Sequence, residues 1–252
     1  MSDDPSAAAG RSESALTPAA PELPELAPLK VALLINPVAG LGGSTAMKGS
    51  DGSEAQAEAR ARGGQPRGAE RAARMLAAAT GARSVRWYTW GGPMGADALA
   101  EAELDTTVLG QPAAEPSADD SIAAVQAFTA AEVDLLLFAG GDGTARDILS
   151  ALSRDSSDLP VLGIPAGVKM HSGVFATTPL RAAELLDRLI SGGLVNAVHR
   201  PVKDLDEAAL RAGEVRPRSF GELKVPEAGG YLQHTKERGI ESEPLARTEI
   251  VA

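Results

Sequence analysis

Short apolar runs alternate along this chain with stretches in which apolar residues recur every three or four positions. Runs of the first kind read as buried strands, and stretches of the second kind as amphipathic helices. Residues 30–35 form the first convincing strand, ended by Asn36-Pro37. A helix is expected over residues 69–79, where Ala72, Met75, Leu76 and Ala79 share a face; Pro66 marks its approach and Gly81 its close. A second strand covers about residues 84–89 and turns at Gly91-Gly92-Pro93. A short helix to about Glu101 leads to a third strand at residues 105–109. Ser117-Ala118-Asp119-Asp120 carries a capping-box pattern and opens a helix reaching Ala131. The run Leu135-Leu136-Leu137-Phe138 is the fourth strand, and Ala145 to Leu152 follows with Ile148, Leu149 and Leu152 on one helical face. A fifth strand at residues 161–164 passes into Pro165-Ala166-Gly167, and a helix is expected over residues 179–190.

Strand and helix thus alternate over residues 29–193, the rhythm of an α/β domain: a Rossmann-like parallel sheet with helices on both faces. In such sheets, ligands sit beyond the carboxyl ends of the strands. The glycine-rich turns all fall at that end. The remaining segments have a different texture. Residues 1–28 hold five prolines among alanine, serine and acidic residues, and read as a disordered leader. Residues 53–65, rich in alanine, arginine and glycine, read as a mobile segment. Residues 194–252 read as the start of a β-rich second domain whose remainder is missing, with strands near 195–202 and 218–225 and a small helix near 207–210. Another helix could open over residues 243–252.

Composition narrows the function classes. The formal net charge of −10, with no basic stripe against it, disfavours a nucleic-acid surface. The absence of cysteine removes thiolate chemistry and disulfides, and three scattered histidines make a poor metal set. No apolar stretch approaches the roughly 18 residues of a membrane span. The leader lacks the basic start and apolar middle of a secretory signal. A cytoplasmic protein without a membrane partner is the expectation.

Chemistry concentrates in Gly140-Gly141-Asp142-Gly143-Thr144. Glycines between a strand and a helix let backbone approach a ligand where a Cβ would collide. The helix start offers N–H groups and the positive dipole end to a phosphate. Asp142 then lies where a carboxylate acts as a base or holds a metal. Neither the Walker pattern nor the dinucleotide fingerprint is present, so the phosphate binder is of another kind. Thr144 and Asp147 have capping-box spacing; for Thr144 a phosphate contact stands beside that role. Asn36 carries two readings, an Asx turn before Pro37 and a nucleotide contact. Lys169, His171 and Ser172 form a second polar cluster, in which the Lys169 ammonium suits a transferred phosphate and Lys48 competes for the task.

Together these residues resemble the ATP-NAD kinase family, in particular its bacterial and archaeal branch of polyphosphate- or ATP-dependent NAD kinases. The resemblance lies in Asn36 to Gly43, Lys48 to Gly52, Gly91 to Gly95, Gly140 to Thr144 and Pro165 to Ala176, in that order. Gly-Gly-Asp-Gly-Thr alone is shared with diacylglycerol and sphingosine kinases. The resemblance implies phosphoryl transfer from ATP or polyphosphate, with Mg²⁺, to the 2′-hydroxyl of NAD. Asp142 would activate that hydroxyl, and Gly140, Gly141, Gly143 and Thr144 would contact phosphate groups. In the family the second domain supplies much of the NAD pocket and the oligomer contacts, so a homo-oligomer is among the implied assemblies. The rival readings are a diacylglycerol-type lipid kinase and a truncated nucleotide-binding protein without catalysis.

Overall fold

The computed structural model describes residues 27–41, 53–167, 170–193, 195–205, 217–229 and 231–233. Five strands form one parallel sheet: β1 (Lys30–Ile35), β2 (Arg86–Thr89), β3 (Thr106–Val108), β4 (Leu135–Gly140) and β5 (Val161–Pro165). Their order is β3-β2-β1-β4-β5. β1 pairs with β2 on one side, Val31 opposite Trp87, and with β4 on the other, Val31 opposite Leu135. The chain thus winds outward from β1 through β2 and β3, then restarts on β1's other side with β4.

The unbroken apolar runs of β4 and β5 follow from this layout. Both strands are buried throughout because helices cover the two faces of the sheet. α2 (Gly68–Ala78) and α6 (Pro179–Ile190) pack on one face, and α4 (Ala118–Ala130) and α5 (Asp142–Arg154) on the other. The short α3 (Ala96–Glu101) packs near β3. The expected capping box opens α4: the Asp120 carboxylate accepts from the Ser117 amide at 2.8 Å, and the Ser117 side chain meets the Asp120 backbone in return. Thr178 caps α6 by accepting from the Arg181 amide at 3.2 Å. Beneath β4, Phe138 and Phe175 meet at a ring distance of 5.3 Å, tilted by 59°. Gly163 makes room for that pair, since a Cβ there would lie 2.2 Å from the Phe175 ring.

Several expectations need adjustment. Residues from Ser53 onward, expected to be mobile, begin with a helix, α1 (Ser53–Ala61). Its Ala59 is fully buried and its carbonyl accepts from the Gly64 amide at 2.8 Å, while Glu58 and Arg62 pair one turn apart. Pro66 does not lead α2; Arg67 occupies the N-cap. α5 opens at Asp142, three residues before the apolar periodicity does. The leader up to Ala20 and beyond, the Lys48–Gly52 turn, Lys169, the helix expected near 207–210 and that over 243–252 lie outside the described residues.

Past α6, β6 (Asn196–Leu205) and β7 (Pro217–Glu227) form an antiparallel ribbon with a register shift at Val202/Lys203. Val202, Leu223 and Val225 join the same buried cluster as the parallel sheet. The ribbon lies along α5, where Arg146 pairs with Asp204 at 3.2 Å and stacks over the Phe220 ring. None of the helices among the described residues is long and apolar enough to cross a membrane.

Candidate active site

The winding of the sheet reverses between β1 and β4, the topological switch point at which open α/β sheets form their ligand crevice, beyond the carboxyl ends of the strands. Among the described residues, Asn36, the Gly140–Thr144 turn and the His171–Ser172 segment meet there. At the end of β1, the Asn36 amide donates to the Ala139 carbonyl at 2.9 Å and extends the pairing with β4. The Asn36 side chain then works in two directions. Its Oδ1 accepts from the Val38 amide at 3.0 Å, which is the expected Asx turn, and its Nδ2 donates to Thr144 Oγ1 at 2.9 Å. Asn36 thereby fastens the loop after β1 to the first turn of α5. Asn36→Ala deletes both bonds and should cost about 1–3 kcal/mol of stability, read as a lower denaturation midpoint.

On the β4 side, Gly140 closes the strand and Gly141 is the N-cap of α5 in extended backbone, with no side-chain cap. Asp142 therefore occupies the first helical position, with Gly143 and Thr144 completing the first turn. Thr144 is buried, and its hydroxyl faces Asn36 instead of capping the helix. The Thr144/Asp147 capping box expected from spacing does not open this helix, because the helix starts within the glycine turn. Gly140 is required for close approach: a Cβ there would sit 2.6 Å from both Cβ and Oγ1 of Thr144. Gly40, at φ +83°, brings the β1 loop against the loop after β5, where a Cβ would lie 2.6 Å from the Ala166 carbonyl.

The Asp142 carboxylate is 8% exposed. Its two oxygens accept from the amides of His171 at 2.7 Å and Ser172 at 3.0 Å, in the segment after β5. Burial pushes this carboxyl above its ordinary 3.8, against the opposing pull of hydrogen bonds from Ser172 and from the His171 amide. Each carboxylate oxygen keeps a second lone pair for another donor. A carboxylate with raised proton affinity, oriented by two amides at a helix N-terminus, is suited to receive a proton beside a bound anion.

Asn36, Gly140, Gly141, Asp142, Gly143 and Thr144 are thus contiguous, and His171 and Ser172 join them. Ser172 was legible only as part of a polar cluster. Its role is played through a backbone amide, which carries no residue signature. Arg146, one turn along α5, had no sequence signal of its own.

Residues 61–194 match the model of the ATP-NAD kinase N-terminal domain, more than half of the chain. The chain belongs to the ATP-NAD kinase family. No curated protein and no solved structure matches it. The matched span runs from the end of α1 to just past α6 and contains the Gly140–Thr144 turn, Asp142 and its two amide donors. In this ATP-NAD kinase family member, β1 and Asn36 lie ahead of the matched span, and the β6–β7 ribbon follows it.

Proposed function

We propose that this protein is an NAD kinase, moving the terminal phosphoryl group of ATP or of polyphosphate onto the 2′-hydroxyl of NAD to give NADP. The observation that carries the reading is Asp142: a buried carboxylate of raised proton affinity at the first position of a helix, at the switch point of the sheet where the glycine-rich turns after β1 and β4 lie side by side. Asp142 accepts the 2′-hydroxyl proton as general base. The ribose oxygen then forms a bond to the terminal phosphorus while the bond to the bridging oxygen breaks, and ADP or the shortened polyphosphate leaves with that electron pair. Gly140, Gly141, Gly143 and the first-turn N–H groups of α5 bind phosphate oxygens, with Thr144 held in place by Asn36. Lys169 is assigned to neutralise transferred charge, from its position in the sequence after β5.

Among the described residues no three His, Asp or Glu side chains converge as a metal site, and both Asp142 oxygens already accept amides. These residues fit Mg²⁺ carried on the donor's phosphates as part of the substrate, where it offsets phosphate charge.

The test supplies NAD, NADH or diacylglycerol with Mg²⁺ and either ATP or polyphosphate. Formation of NADP supports the reading; phosphatidic acid with no NADP, or nucleotide binding with no turnover, contradicts it. The acid limb of kcat/KM for NAD should have its midpoint above 3.8, since burial raises the Asp142 carboxyl. Stability responds in the corresponding sense. This group's contribution is full below 3.8, where it is protonated in both states, and is lost as pH rises through the raised folded value.

A further inference from the structure

Ser172 is 2% exposed, and its hydroxyl, close enough to the Asp142 carboxylate to favour its ionised form, also reaches the β6–β7 ribbon. Its Oγ donates to the Lys203 carbonyl at 2.8 Å and accepts from the Lys203 amide at 3.0 Å, both on β6. The same residue's own amide donates to Asp142 Oδ1. The next residue adds a third tie to that strand, with the Gly173 amide donating to the Pro201 carbonyl at 2.9 Å. Lys203 faces Ser219 just past the register shift, whose extra residue, Phe220, lies on β7. The Lys203 amide and carbonyl point to the same edge of β6, toward Ser172, where one hydroxyl meets both.

We propose that Ser172 is a positioning residue, clamping the amide that orients Asp142 to the β6–β7 ribbon. The proposal rests on the reading of Asp142 as the base. Without the clamp, the Ser172 amide loses both side-chain ties to β6 and is held only by its own bond to Asp142 and by the backbone bonds of its neighbours, His171 to Asp142 and Gly173 to Pro201, which leaves it room to shift from the carboxylate. The ribbon is anchored independently on α5 by the Arg146–Asp204 pair, so it supplies a fixed reference for that amide. Among the described residues, the charged or titratable groups on the elements around Asp142 are His171 of the same segment, Arg146 and Asp147 of α5, and Lys203 and Asp204 of β6. Ser172→Ala changes none of them.

The experiment compares full-length wild type, Ser172→Ala and Ser172→Thr by three readouts. These are the pH profile of kcat/KM for NAD, the NMR titration of the Asp142 side-chain carboxyl carbon, assigned by its disappearance in Asp142→Asn, and hydrogen exchange of the residue-172 amide. Ser172→Ala should raise both midpoints by about half a pH unit or more. Because the hydroxyl itself also favours the ionised carboxyl, the deciding readout is the residue-172 amide, which should exchange at least about tenfold faster once the clamp is gone. kcat should fall by about 10- to 100-fold with KM for NAD changed by no more than about threefold, as expected for a misplaced reacting group. Ser172→Thr, which keeps the hydroxyl, should restore both midpoints. If Ser172→Ala does not fold, Ser172→Cys, which keeps the volume but weakens both bonds, is read in its place. A residue-172 amide as protected from exchange in Ser172→Ala as in the wild type overturns the clamp, whatever the midpoints do. Full activity of Asp142→Asn would instead remove the base assignment, and the amide exchange would still decide whether the clamp exists.

Discussion

Asp142→Asn should lower the rate of NADP formation by a factor of about 10² to 10⁴, the contribution of a positioned general base. Asparagine preserves shape and one acceptor, but its amide nitrogen cannot accept a proton from the ribose hydroxyl or a hydrogen bond from the protein. One of the two amides now on the carboxylate, that of His171 or Ser172, then loses its partner. An unsatisfied buried donor costs about 1–3 kcal/mol. The opposing term is relief from burying a charge, which is why this carboxyl is displaced upward in the folded protein. The two terms offset, so thermal melting should stay close to wild type while turnover collapses. Equal losses of stability and activity would mean that Asp142 holds the segment after β5 in place and does no chemistry.

The second large effect is expected from Gly140→Ala. The added methyl would lie 2.6 Å from Cβ and Oγ1 of Thr144 and 2.9 Å from its Cγ2. Thr144 cannot step aside, since it is buried in the first turn of α5 and its hydroxyl is held by Asn36. Overpacking of this kind costs about 1–3 kcal/mol. The strain falls on the turn assigned to the phosphates, so KM for the phosphoryl donor should rise together with the loss of stability. Thr144→Ser added to Gly140→Ala should recover little, because the contact with Cβ remains after the methyl is gone. Chemical denaturation of the single and double variants measures the first effect, and initial rates against ATP concentration the second. Full rescue by Thr144→Ser would show that the crowding sits at the far end of the side chain and not at the backbone.

The parts of this molecule that were legible in the sequence are those in which side chains face one environment along a whole element. β1 and α6 were readable to the residue, because the first is buried along nearly its full length and the second presents a continuous apolar stripe. α1 was not: its alanine, glutamate and arginine carry no stripe, and what marks it among its described side chains is the buried Ala59, whose carbonyl accepts from Gly64. The start of α5 was displaced for a related reason. Glycines and an aspartate read as turn, yet with Gly141 extended the helix can begin at Asp142, and Thr144 is drawn inward by Asn36, a residue 108 positions earlier in the chain. The gathering of Asn36 with Gly140 to Thr144 was visible in outline from the alternation of strands and helices, since that rhythm puts every such turn on one edge. The partners of Asp142 were hidden, because backbone amides have no identity in sequence and the hydroxyl that steadies one of them is bonded to a strand beyond α6.

The most direct test is a crystal structure of the protein with NAD and a non-hydrolysable ATP analogue with Mg²⁺. The account predicts the adenosine ribose 2′-oxygen at about 2.6–3.2 Å from an Asp142 oxygen. It also predicts donor phosphates against the Gly140–Thr144 turn. NAD bound with its 2′-hydroxyl turned away from Asp142, or phosphates seated elsewhere than the crevice between β1 and β4, would contradict it.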